Sequence, residues 1–156
     1  MEISGKQVGT VIISLIFVMS AISIAFSWQP TTQANSQESS NVINSPLSNE
    51  MRLLFPEEGV TIMTVFYVND NSDSLAAKKD AENMKDEFGE NLMVEVIDVE
   101  TYQSFSAAYN VRTVPVVLIR GKSNMNAPIR LEGLQDFSML KERVCSTFEE
   151  KPDACL

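Results

Sequence analysis

Cys145 and Cys155 are the only thiols of this 156-residue chain, and the chain has no histidine. The missing imidazole removes the commonest general base and the commonest transition-metal ligand, so Ser-His-Asp and Cys-His catalysis are excluded. Outside the cytosol, an even pair of cysteines near a C-terminus reads as a structural disulfide, here pinning the tail to the segment before it, with Pro152 turning the chain between them. On the chain-entropy account, a closed loop of about ten residues contributes roughly 2.5 to 3 kcal/mol. The competing chemistry, a redox pair, needs an acidified thiol. Glu149, Glu150 and Asp153 would instead hold a thiolate's pKa up. Asp70, Asn71 and Asp73 offer hard oxygen ligands, but the run lacks the glycine turn and terminal glutamate of a calcium loop. Asp80, Glu82, Asp86, Glu87 and Glu90 read as a solvated helix face. The eight methionines, unclustered, read as core filler and not as a copper site. Residue types alone therefore predict no catalytic group, no metal and no cofactor.

The elements that would position these groups alternate. Val60 to Val68, Val-Thr-Ile-Met-Thr-Val-Phe-Tyr-Val, is β-branched and nearly continuously apolar, as a central strand covered on both faces should be. After a loop at Asn69 to Asp73, Ala77, Ala81, Met84 and Phe88 fall on one helical stripe, with Ser74 or Asp73 as a cap and Gly89 as the stop. Leu92 to Val99 reads as a strand, Tyr102 to Tyr109 as a short helix, and Pro115 to Arg120 and Ile129 to Leu131 as further strands. Gln135 to Phe148 reads as a last helix, with Phe137, Leu140, Val144 and Phe148 on one face. The order β-α-β-α-β-β-α predicts a mixed sheet with helices on both faces, its first strands parallel through a right-handed crossover.

The segment Val111 to Leu118, Val-Arg-Thr-Val-Pro-Val-Val-Leu, carries a proline that enters a strand directly after a helix. In that topology, residues from about Val60 to Phe148 resemble a thioredoxin-like domain. Laid on the family pattern from Phe66, Phe88 falls on the aromatic residue closing the long helix and Pro115 on the family's cis-proline. After a small insertion around Lys122 to Ala127, Gly133 falls on the glycine that follows the last strand. The resemblance implies a cis bond before Pro115, where context-free X-Pro bonds are cis in only about 5 to 6% of cases.

The same register drops the family's Cys-x-x-Cys slot onto Asn71, Ser72, Asp73 and Ser74, none of which is a thiol. It drops the family's buried carboxylate onto Val65 and the lysine beside it onto Val96. A hydroxyl at Ser74 cannot replace a thiolate, since disulfide exchange needs sulfur as nucleophile. What the resemblance leaves is a strand edge at Thr113, Val114, Pro115 and Val116, against which the family lays an extended polypeptide through backbone hydrogen bonds. The expected function is therefore a redox-inactive module holding a partner polypeptide. Two alternatives stay open: a thiol-disulfide oxidoreductase using Cys145 and Cys155, and a structural subunit of a membrane complex.

Location is read from the N-terminal third. Val8 to Trp28 carries no charge and is long enough to cross a bilayer as a helix. It exceeds the apolar region of about 7 to 15 residues in a signal peptide, which favours an uncleaved anchor, although Ala25-Phe26-Ser27 offers small residues where cleavage would give a secreted product. Lys6 before the run, with no further basic residue until Arg52, puts the rest of the chain on the extracytoplasmic side of a single-pass protein. Residues 1–28 are thus read as anchor or signal, 29–50 as a flexible tether rich in Ser, Asn, Gln and Thr, and 51–156 as the thioredoxin-like domain with its tail. A net charge of -9, with twelve scattered basic residues, would repel a phosphate backbone, so nucleic acid is no expected partner.

Overall fold

Seven consecutive buried residues, Thr61–Tyr67, form strand β2 at the centre of a five-stranded sheet. The computed structural model describes residues 42–156. In chain order the remaining elements are β1 (Val42–Ile43), α1 (Asn49–Glu57), α2 (Ser72–Phe88), β3 (Leu92–Asp98), α3 (Gln103–Ala108), β4 (Val116–Arg120), β5 (Ile129–Glu132) and α4 (Phe137–Cys145). Short 3-10 turns lie at Gly89–Asn91, Lys122–Asn124 and Asp153–Cys155.

The sheet runs β1-β3-β2-β4-β5. β3 lies parallel to β2, with Val65 opposite Val96, and β4 lies antiparallel to β2, with Phe66 opposite Val116. β5 returns antiparallel to β4, placing Glu132 opposite Val116. Alternation along the strands sorts side chains to two faces. Met63, Val65, Tyr67, Val94, Val96, Val117 and Ile119 pack under α2 and α4, against Ala77, Ala81, Met84, Phe88, Leu140 and Val144. Phe66, Ile97, Val116 and Leu118 pack on the opposite face against Phe105, Tyr109 and Val111. The mixed sheet flanked by helices is the predicted architecture, and the predicted strands and helices from Val60 onward are each present.

The fold begins before Met51. Val42 and Ile43 extend the sheet parallel to Val94 and Glu95, and Ser48 caps α1 by accepting a hydrogen bond from the Met51 N–H at 3.3 Å. Residues 42–50 of the stretch read as a tether therefore belong to the domain, because pairing with a central strand offsets the ordering entropy that a polar composition argues against. α2 is capped by Asn71, whose Oδ1 accepts from the Ser74 N–H at 2.8 Å, and not by Asp73 or Ser74. An Asx side chain one turn earlier reaches the free N–H groups that a residue already inside the helix cannot.

α1 buries charge. Arg52 and Pro56 face inward, and the Arg52 guanidinium pairs with the fully buried carboxylate of Glu95 on β3. That carboxylate also accepts from the Leu47 N–H at 2.6 Å and the Thr64 hydroxyl at 2.5 Å, while the guanidinium lies over the Phe105 ring at 4.8 Å.

Among the described residues no helix is long and apolar enough to cross a membrane. The apolar run at 8–28 and the remainder of the tether, 29–41, lie outside the described residues.

Candidate functional site

Two loops meet the same end of the sheet. β2 ends at Tyr67 and leads through Asn69 and Asp70 into Asn71, the cap of α2. β4 starts opposite Phe66, so the residues just before it, Thr113 to Pro115, lie at that same end. The register that sequence resemblance supplied thus brings Asn71, Ser72, Asp73 and Ser74 to the sheet end that carries Thr113, Val114, Pro115 and Val116.

The Val114–Pro115 bond is cis. The Pro115 carbonyl accepts from the N–H of Gly133, which stands at a φ of 76° directly after β5, so this glycine ties the proline to the outer strand. One residue earlier the ladder stops. Thr113 is exposed and Val114 half-buried, and among the described residues no hydrogen bond joins the backbone of either to another residue. A backbone segment with N–H and C=O free, continuing the line of a paired strand, is a template for one more strand.

Leu75, in the first turn of α2, and Leu134, next to Gly133, are 43% and 47% exposed on the elements flanking this edge. Ser74 is fully buried and its hydroxyl has no partner, while Ser72 and Asp73 face solvent. Val65 and Val96 oppose one another in the register, both buried among aliphatic side chains. No proton carrier stands at either position. Among the described residues the buried carboxylate is Glu95, which is on the opposite face from Val94 and Val96 and is committed to Arg52. Asp98 is likewise occupied, accepting from the Asn69 amide at 3.2 Å and the Glu100 N–H at 2.9 Å.

Arg52 and Glu95 are the pair that sequence reasoning missed. A carboxylate inside the run Leu-Met-Val-Glu-Val-Ile was the available signal, because such a residue on a covered strand requires a counter-charge.

Cys145 and Cys155 form a disulfide with an S–S distance of 2.00 Å, and among the described residues no cysteine is free. The bridge belongs to the other end of the sheet. Thr147, two residues beyond Cys145, has its hydroxyl 2.8 Å from that of Thr61, where β2 begins. A cleft of about 540 Å³ opens beside the bridge, lined by Lys141, Glu142, Lys151 and Leu156 among others. A second, of about 340 Å³, lies between Glu57, Glu58, Lys122, Glu149 and Glu150. There the Glu149 hydrogen bond and charge raise the Lys122 pKa above its ordinary value. Among the described residues no group of acidic or cysteine side chains could hold a metal ion.

No protein-family model matches the chain, and no curated protein matches it. Solved structures do. A chloroplastic thioredoxin z is similar at a TM-score of 0.56 and 18% identity, over 68% of this chain and 91% of its own. A mutant thioredoxin of Halobacterium salinarum is similar at 0.55 and 20% identity, over 71% and 92%. The Fasciola hepatica thioredoxin is similar at 0.51 and 18% identity, over 60% and 88%. With the sheet order, the proline-led strand and these likenesses together, the chain has a thioredoxin-like fold.

Proposed function

We propose that this protein is a membrane-tethered, redox-inactive thioredoxin-like module that holds a partner polypeptide along the strand edge at Thr113 to Val116. The observation that carries the reading is the unpaired backbone of Thr113 and Val114, in line with a paired strand, with Leu75 exposed in the first turn of α2 and Leu134 exposed next to Gly133. An extended segment laid there would gain backbone hydrogen bonds from the edge and bury apolar side chains against the two leucines. The tether is the apolar run at 8–28, with the domain on the extracytoplasmic side.

Loss of sulfur chemistry is supported by the residues present. Asn71 to Ser74 contain no thiol, and aliphatic side chains stand at positions 65 and 96. The thiol-disulfide oxidoreductase alternative is disfavoured because the bridged cysteines belong to the end of the sheet where β2 starts, away from the free edge. The test is Val114→Asp in the full chain. A charged, desolvation-averse side chain at a half-buried edge should abolish co-purification of partner polypeptides while the melting temperature stays within a few degrees. An unchanged co-purification profile would reject the reading.

A further inference from the structure

α1 buries a charged residue and leaves apolar ones exposed. Its inward positions are Arg52 and Pro56, whereas Met51, Leu53 and Leu54 are 43%, 53% and 47% exposed. Three of the seven large apolar side chains exposed among the described residues therefore fall on one nine-residue helix. The buried side of α1 explains its arginine, through Glu95 and the Phe105 ring, while Met51, Leu53 and Leu54 leave about half of their surface in solvent.

What covers them is decided by area and charge. Three half-exposed side chains fall well short of the ~800 Å² per partner that a stable protein interface buries. A second copy meeting the same face would also bring Glu50, Glu57 and Glu58 against their own duplicates. A lipid surface needs far less contact when the chain is already attached to it. The apolar run ends at Trp28, and residues 29–41 are all that separate it from β1 at Val42. Thirteen residues reach at most about 45 Å even when fully extended, so anchoring at the apolar run keeps α1 near the bilayer and raises its effective concentration there.

We infer that α1 is a membrane footing, with Met51, Leu53 and Leu54 seated at the headgroup boundary of the bilayer crossed by residues 8–28. This rests on the tether reading above. The outward charges of the helix are Glu50, Glu57 and Glu58, its only arginine being buried, so the fitting surface is zwitterionic and not anionic. α1 ends where β2 begins, and Val114 lies where β2 ends, so a bilayer under α1 leaves the partner edge free.

The experiment uses the full chain with Trp28→Phe in phosphatidylcholine vesicles whose acyl chains are brominated. Leu54→Trp supplies the reporter on α1, and Met139→Trp on α4, across the sheet, supplies the control. Fluorescence of the α1 reporter should be quenched several-fold more than that of the α4 control. Adding Met51→Gln and Leu53→Gln should bring it to the control level, and adding phosphatidylglycerol should weaken it. Equal quenching of the two indoles in a chain that co-floats with the vesicles overturns the footing and leaves the tether standing. A chain that does not co-float overturns both. An α1 reporter shielded from iodide but unquenched by brominated lipid assigns the face to a protein, a second copy included, and overturns the proposal.

Discussion

Glu95 and Arg52 form an ion pair sealed between α1 and the sheet, on the face opposite Val65 and Val96. Val94 and Val96 give β3 an aliphatic stretch under α2, while Glu95 puts a buried carboxylate on the other face, and that carboxylate docks α1. Removing Glu95 alone, as Glu95→Val, strands a guanidinium under a helix and should lower stability by about 3 to 5 kcal/mol. Arg52→Met combined with Glu95→Val replaces the pair by apolar volume and should recover most of that loss. Urea titrations with an unchanged m-value measure both. A single substitution costing under about 1 kcal/mol would show that the pair is not desolvated.

Gly121 follows β4 and lies against Thr147, in the turn after α4. A Cβ there would lie 2.6 Å from the Thr147 Cβ and 2.7 Å from its carbonyl oxygen. Because one obstacle is backbone, side-chain rotation cannot relieve it. Gly121→Ala should destabilise by about 1 to 3 kcal/mol, with little recovery on adding Thr147→Ala. Thermal melts of the two variants decide it.

The Cys145–Cys155 bridge closes a short loop, with a sequence separation of 10. Cys145→Ser with Cys155→Ser should cost about 2.5 to 3 kcal/mol of stability and leave partner capture unchanged, since the bridge is remote from the Val114 edge. Insulin reduction by the wild-type chain should stay at the uncatalysed rate. Turnover that either serine substitution abolishes would establish the oxidoreductase alternative.

Lys122 gains its raised pKa from Glu149, by hydrogen bond first and charge second. A lysine whose pKa rises on folding adds stability that is fully present below its unfolded pKa and is lost as pH climbs through the folded one. The contribution should therefore fade only on the alkaline side of the ordinary lysine range. Lys122→Met should leave the pH dependence of stability unchanged between about pH 5 and 9, as paired urea titrations would show.

Most of the domain was legible because its signals are local. The β-branched run at Thr61–Tyr67 and the stripe Ala77, Ala81, Met84, Phe88 both proved buried as their periodicity required. The proline-led strand was legible too, through its interval from Phe66, which it faces across the ladder by way of Val116. β1 and α1 were not. β1 is two residues long and is defined only by pairing with Val94 and Glu95, half a domain away. α1 hides its helix by exposing Leu53 and Leu54 and burying Arg52, which inverts the pattern by which a surface helix is recognised. The free backbone at Val114 is likewise a property of which strand lies beside which, and no residue type announces it.

The Thr113 to Val116 edge is the proposed place at which another chain is held. A photo-crosslinking amino acid at Thr113, in the full chain in its native membrane, measures this directly. The prediction is a discrete polypeptide adduct that is lost in Val114→Asp and absent when the crosslinker replaces Lys151 near the disulfide. An adduct at Lys151 and none at Thr113 would contradict the account.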